Sequence, residues 1–418
     1  MKIKTKNVPY EYIEKIPKQK HKKPLKPLWI LGAVIRLISI PDLFATRFKF
    51  KKVDMEKAGE GPYFILMNHS SFIDLKIAFR IFFPKRFAIV CTSDGFVGKK
   101  WLMRLLGCIP TNKFVTDISL IGDILHSLKK NKTSVLMYPE ASYSFDGCAT
   151  PLPQKLGVLL KKLDVPVVTV ITEGAFLRDP LYNGLQLRKT KVKATVKCLF
   201  SREELKNLSA EELSRRLEDE FTFDNFKKQY EEKVYITESF RADGLERILY
   251  KCPNCLSEEG MKGDGVHIKC EKCGKTYFMN TLGRLEALTG ETEFPHIPDW
   301  YKWERESVKK EIEKGSYELD TAVKIGVLAD SKAIYMVGEG RLIHNKDGFV
   351  LTGCDGKLKY TQGPKSSYGL YADYFWYEIG DVICIGDKKR LYYCFPQDKS
   401  TNVAKARLAT EEIYKSLN

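Results

Sequence analysis

Apolar positions along the chain change their spacing twice. Between residues 63 and 200, short apolar runs alternate with segments whose apolar residues recur every three or four positions. The runs 63–67, 86–91, 134–138 and 165–171 predict buried strands, and 191–199 alternates polar and apolar like a strand with one wet face. Helices are predicted over 72–83, 99–106 and 155–163. Another follows a capping Asp117, with Ile118, Ile121, Leu125 and Leu128 on its stripe. Alternation of this kind gives an α/β core with a mostly parallel sheet. Ligands of such sheets sit outside the carboxyl ends of the strands.

Beyond 200 the pattern turns charged and helical to about 233, with Ser201-x-x-Glu204 and Ser209-x-x-Glu212 both reading as capping boxes. Residues 284–315 again look helical, interrupted at 294–298. From 322 to 395 the period is two. Six short runs separated by turns, most of them holding glycine, are followed by a helix over about 401–417. Strands closed by one helix suggest a small β-barrel or sandwich with a plugging helix, an architecture similar to pleckstrin-homology-like domains. The expected domains are 1–50, a basic and interfacial segment; 51–245, the α/β core; 246–282, a cysteine-rich ribbon; and 283–418, the β-rich domain with its terminal helix.

Charge changes the picture at the start of the chain. The formal net charge is +16, and residues 1–26 hold nine Lys against Glu11 and Glu14. A solvated tail is the bland reading of such a run. Here it leads directly into an apolar stretch between Pro27 and Pro41, thirteen residues with Arg36 inside. That is too short to span a bilayer. A helix lying in the interface with Trp29 at headgroup level fits the pattern, and so does a helix packed on the core. The lysines favour the anionic membrane surface over nucleic acid as partner. No apolar core follows the basic start at once, so no secretory signal peptide is expected.

Eleven cysteines, an odd number, suggest a reducing compartment. Cys252-Pro-Asn-Cys255 and Cys270-Glu-Lys-Cys273 stand fourteen residues apart, with Gly260, Gly263 and Gly265 between them. Two such knuckles read as a tetrahedral four-cysteine zinc site resembling a zinc ribbon. Disulfides and a redox pair are the alternatives. Four thiolates would close the coordination sphere, so this zinc would be structural.

The sharpest candidate chemistry lies at Asn68-His69-Ser70-Ser71-Phe72-Ile73-Asp74. His69 falls at a strand-to-helix turn, with Ser70 and Ser71 offered as N-caps. If His69 precedes the helix, its ring can fold back onto Asp74, which would fix the imidazole tautomer and stabilise the imidazolium. Such a base-plus-orienter pair lacks a protein nucleophile, so a substrate hydroxyl should attack.

This stretch resembles the first of four ordered motifs of the glycerolipid acyltransferase family, which includes the 1-acylglycerol-3-phosphate acyltransferases. The second has its counterpart in Gly107-Cys-Ile-Pro-Thr-Asn-Lys113, and the third in Tyr138-Pro-Glu140-Ala-Ser142-Tyr143-Ser144. The fourth lies in Val165-Pro-Val-Val-Thr169-Val170. The resemblance covers roughly residues 50–200. Lys113 and Tyr143 stand where the family carries arginines thought to bind the acceptor's phosphate, and Thr169 where it usually has proline.

The resemblance implies direct acyl transfer. His69 would take the proton of a lysophospholipid hydroxyl, with Asp74 orienting it. The hydroxyl would then attack the thioester of acyl-CoA or acyl carrier protein, with no further cofactor. Strand-end and helix-start N–H groups would hold the oxyanion. Glu140 would help position the acceptor, and Lys113 would bind its phosphate with help from Ser142 and Ser144. The expected activity is 1-acylglycerol-3-phosphate O-acylation in phospholipid synthesis, on the cytoplasmic inner face of a membrane. The alternative is a catalytically idle acyltransferase fold that binds a lipid, a protein or a nucleic acid through its ribbon and C-terminal domain.

Overall fold

The computed structural model describes residues 2–17, 19–115, 117–398 and 400–417. Lys18, one of the lysines of the basic lead-in, lies outside the described residues, as do Met1, Thr116, Lys399 and Asn418.

The core is a seven-stranded sheet in the order Lys49–Val53, Lys193–Phe200, Val167–Glu173, Phe64–Met67, Ser134–Met137, Phe87–Thr92, Cys108–Thr111. Neighbours pair in parallel except Val167–Glu173 with Lys193–Phe200, so the sheet is mixed. Phe64–Met67 sits at its centre, and all four side chains are buried. Phe64 and Leu66 pack into one apolar cluster, Ile65 and Met67 into another. Helices cover both faces, which is why this strand reads as a continuous apolar run and not an alternating one.

The helix after the histidine motif spans Asp74–Phe82, two residues later than expected, and neither Ser70 nor Ser71 caps it. The Asp74 carboxylate takes the backbone N–H groups of both serines, which holds them in a turn ahead of the helix. Asp117 does cap its helix, accepting from the Ser119 amide. Ser201 and Glu204 form a complete capping box. At Ser209 only half of one forms, because the Glu212 carboxylate is turned to Arg215 and Arg216.

The apolar N-terminal stretch is a helix, Trp29–Ala45, running through Pro41. Ile35, Ser39 and Leu43 turn toward the core. The opposite face, with Ile30, Val34, Leu37, Ile38 and Phe44, is exposed. Among the described residues no helix is long and apolar enough to cross a membrane.

The four cysteines gather at a four-stranded antiparallel sheet, Cys270 at the end of one strand and the other three outside its strands. Its outer strand, Leu285–Ala287, lies in a stretch expected to be helical. The Leu285 amide donates to the Pro295 carbonyl and Arg284 bridges to His296, so long-range pairing overrides the local charged pattern. The expected helix is confined to Ile297–Glu313.

The β-rich region is an eight-stranded sheet wrapped against the helix Val403–Ser416. Among the described residues its end strands, Leu358–Gln362 and Tyr371–Trp376, do not pair with each other, so of the expected barrel or sandwich a closed barrel is not seen. One strand comes from the far end of the chain: Thr5–Asn7 runs parallel to Ile334–Met336. Part of the basic lead-in is therefore docked on the C-terminal sheet, although its described lysines remain exposed.

This sheet packs against the strand-end edge of the core. Val97 shares a cluster with Leu328, Tyr371 and Trp376, and the Phe145 and Tyr374 rings are 4.9 Å apart.

Candidate active site

His69 follows the central strand directly, and its backbone is fixed on three sides. Asn68 accepts from the Thr172 amide at 2.8 Å, tying the loop to the neighbouring strand. The His69 amide donates to Glu140 Oε2 at 2.9 Å, and its carbonyl accepts from the Ser144 amide at 3.3 Å. These contacts fix the His69 backbone at the sheet edge.

The ring meets Asp74. His69 Nδ1 lies 3.1 Å from Asp74 Oδ2, the oxygen that also takes the Ser70 and Ser71 amides at 2.9 and 3.0 Å. An oxygen accepting two N–H groups is an acceptor for the third, which places the proton on Nδ1 and leaves Nε2 with its lone pair. The other carboxylate oxygen is buried without a partner among the described residues. Burial pushes the imidazole below its ordinary value. The Asp74 hydrogen bond and charge oppose that shift, and the Lys113 ammonium adds to it. The net direction favours the neutral ring.

Both ring faces are covered. Tyr138 stacks on one contact at 4.0 Å between centroids and Tyr143 on another at 3.9 Å. The side chain is 17% exposed, so a reactant reaches it by the ring edge. Two features here carry little or no sequence signal. Tyr143 is visible beforehand only as a departure from a motif. Asp179 bonds the Ser71 hydroxyl and the Arg178 guanidinium, and burial pushes its carboxyl up to about 6. Arg178 in turn reaches Asp42 of the N-terminal helix at 3.1 Å.

The remaining expected residues separate. Glu140 is turned inward: Oε2 holds the His69 amide and Oε1 the Thr150 amide and hydroxyl, while burial pushes its carboxyl up to about 7. Both Glu140 oxygens are thus engaged within the protein, one of them on the His69 backbone. The Ser144 hydroxyl donates to the Cys148 carbonyl at 2.6 Å. The Ser142 hydroxyl is buried without a partner among the described residues. The Ser70, Ser71 and Ile73 amides are also spent, on Asp74 and on the Ser71 hydroxyl, so none of these three is free for an oxyanion.

Lys113 lies with its ammonium 4.2 Å from the Tyr371 ring centroid, near Asp373 and Asp94. Burial depresses its ammonium below the ordinary value. It lines a cavity of about 220 Å³ between residues 113–115 and the C-terminal sheet, whose other walls include Gln362, Ser366, Tyr371 and Asp387. Whole ligands usually need about 300–1,000 Å³, so this space suits a headgroup and not a headgroup with its acyl chain.

Cys252, Cys255, Cys270 and Cys273 converge far from His69 in sequence, their sulfurs all within 4.8 Å of one another. The Cys252–Cys273 and Cys255–Cys270 sulfur pairs are both 3.7 Å apart, far longer than a disulfide. The donor set can hold a metal ion.

Residues 48–173, which include His69, Asp74, Lys113 and Glu140, match the family model described as Acyltransferase. Over 145 residues the chain is 30% identical to the 1-acyl-sn-glycerol-3-phosphate acyltransferase of Saccharomyces cerevisiae, covering 32% of this chain and 46% of the yeast protein. The chain thus spans about half the length of that curated relative. A solved structure, the 1-acyl-sn-glycerophosphate (LPA) acyltransferase PlsC of Thermotoga maritima, is similar at 18% identity over 46% of this chain and 76% of that one. Its TM-score is 0.37, too loose a likeness to bear on the fold. By family match and curated relative, about a third of the chain, around residues 48–173, resembles the glycerolipid acyltransferases.

Proposed function

We propose that this protein, with its acyltransferase-family segment at residues 48–173, is an O-acyltransferase. It moves a fatty acyl group from acyl-CoA or acyl carrier protein to the hydroxyl of a lysophospholipid, with 1-acylglycerol-3-phosphate as the acceptor. The observation that carries this reading is the His69–Asp74 pair: a neutral imidazole, oriented through Nδ1 at 3.1 Å, with Nε2 left to take a proton.

In the reaction His69 Nε2 removes the acceptor's hydroxyl proton as the oxygen attacks the thioester carbonyl. Asp74 stabilises the imidazolium that forms. Collapse of the tetrahedral adduct breaks the carbon–sulfur bond, and the imidazolium returns its proton to the departing thiolate. The acceptor's phosphate is drawn to Lys113, which has no hydrogen-bond acceptor among the described residues and faces the headgroup-sized cavity. The exposed apolar face of Trp29–Ala45, flanked by the exposed lysines of the lead-in, supports a peripheral place on the anionic inner face of a membrane. Four cysteines in knuckle spacing support a structural zinc.

A binding module with an idle fold is the second reading, favoured by the tyrosines that cover both faces of His69. Incubating purified protein with lysophosphatidate and acyl-CoA, and following free thiol, separates the two. Thiol release that His69→Ala abolishes supports the enzyme. No release with acyl-CoA or acyl carrier protein in the presence of vesicles sinks it.

A further inference from the structure

The segment that covers His69 is held from outside the core. Residues 143–145 form a loop whose Ser144 amide donates to the His69 carbonyl and whose Tyr143 ring lies 3.9 Å from the imidazole. Ala141, just before it, has φ +57°, a left-handed conformation that an alanine keeps only when its surroundings impose it. The grip comes from the other end of the chain. Asn402 caps the helix Val403–Ser416 by accepting from the Lys405 amide, and this helix carries Arg407 inward.

Arg407 is 4% exposed. Its Nη1 donates to the Tyr143 carbonyl at 3.1 Å, its Nε to Glu411 at 3.2 Å, and its guanidinium sits 4.4 Å over the Phe145 ring. Glu411 is itself held by Arg305 at 2.7 Å, so the fork is braced on both sides. A planar guanidinium that bonds a carbonyl, a carboxylate and a ring face at once fixes orientation in a way a flexible ammonium does not.

We infer that Arg407 is a positioning residue for the chemistry at His69: from the C-terminal helix it pins the Tyr143 loop, and through it the Tyr143 ring, against the imidazole. The C-terminal region thereby completes a site whose motif residues all lie more than two hundred positions earlier. The inference deepens the acyl-transfer reading and rests on it for its kinetic consequence. The groups that face His69 are Asp74, Lys113, Tyr138 and Tyr143, with Glu140 on its amide. Loss of the Arg407 grip leaves all of them in the chain and loosens the Tyr143 cover. Water then reaches the ring, and burial no longer depresses its titration to the same extent.

The test uses the full-length protein in two arms. In the first, imidazole resonances are titrated by NMR, with His69 identified by the signal lost in His69→Ala. Arg407→Ala and Tyr143→Ala should each move the His69 midpoint up toward the ordinary value. In the second, Arg407→Ala should lower kcat about 10–100-fold, as misplacement of a reacting group does, with KM nearly unchanged. The double variant should be no worse than Tyr143→Ala alone.

An unmoved midpoint in Arg407→Ala, or losses that multiply in the double variant, overturns the inference. Should Arg407→Ala not fold, Arg407→Lys keeps the charge without the fork, and wild-type midpoint and kcat in it would overturn the inference equally. The first arm needs no substrate. A wild-type protein that transfers no acyl group would therefore sink the acyl-transfer reading and leave the titration to decide Arg407.

Discussion

Asp74 and His69, five residues apart, meet because a single carboxylate oxygen organises the whole turn between them. Asp74 Oδ2 receives His69 Nδ1 at 3.1 Å together with the Ser70 and Ser71 amides. The same contact starts the helix late and aims the imidazole. Asp74→Asn keeps one oxygen acceptor for the amides but removes the charge and permits the wrong tautomer. We expect acyl transfer in this variant to fall by about 10²–10⁴-fold, the usual scale for loss of general-base function, with thermal stability little changed. His69→Ala should fall as far. Near-normal turnover in either, measured by thiol release, would remove the pair from its role.

The pH profile follows from the direction of the His69 shift. Burial lowers the imidazole below its reference of 6.5, and only the neutral ring can accept the hydroxyl proton. Activity should rise with pH as the imidazolium loses its proton, through a midpoint below 6.5, and be flat across neutrality. Log kcat/KM plotted from acid to neutral pH reads this directly. A midpoint above 6.5 would mean that the Asp74 charge outweighs burial or that another group is limiting.

Membrane contact is tested better by point substitution than by truncation. Deleting the lead-in would also remove the strand Thr5–Asn7 from the C-terminal sheet and the buried Tyr10 and Ile13. Leu37 is 66% and Phe44 83% exposed on the outer face of Trp29–Ala45. Leu37→Glu with Phe44→Glu should therefore release the protein from anionic vesicles without unfolding it. Added salt should weaken wild-type binding only in part, since screening leaves the apolar contact intact. Full-strength co-sedimentation of the double variant would place the contact elsewhere.

What could be read from the sequence was local. Asn68 to Asp74 is one turn, and the meeting of His69 with Asp74 is set within seven consecutive residues. The four cysteines are two turns with fixed internal spacing. The runs at Phe64–Met67 and Val167–Glu173 betray a sheet covered on both faces. What stayed hidden was long-range. Arg407 reaches Tyr143 across 264 positions, with nothing in the composition of its helix to mark it. Asp179 meets Ser71 across 108. Thr5–Asn7 is three polar residues, and only its pairing with Ile334–Met336 makes it a strand. The charged stretch near Leu285 has helical composition, and the ribbon's edge claims it by backbone pairing.

The cysteine cluster yields the last prediction, and its sulfur spacing is compatible with a tetrahedral zinc site. A tetrahedron of thiolates around zinc, with Zn–S about 2.3 Å, has edges of about 3.8 Å. The Cys252–Cys273 and Cys255–Cys270 sulfurs stand 3.7 Å apart. With four glycines from Gly260 to Gly274 inclusive, the ribbon has little apolar interior of its own. Yet Cys252, Ile268 and Tyr277 belong to a larger cluster with Trp300, and Glu304 and Trp300 bond the backbone of Lys251, next to the first knuckle. Zinc at this site would therefore stabilise more than its own loops. Metal binding contributes roughly 10–16 kcal/mol in comparable small sites. Cys270→Ser, or prolonged chelation, should lower the melting temperature and loosen the packing of Ile297–Glu313. The His69–Asp74 contact should survive, because it is built within the seven-stranded sheet. Elemental analysis of protein never exposed to chelator should give one zinc per chain. Less than half an equivalent, or a disulfide between any two of these cysteines in reduced protein, would refute the site.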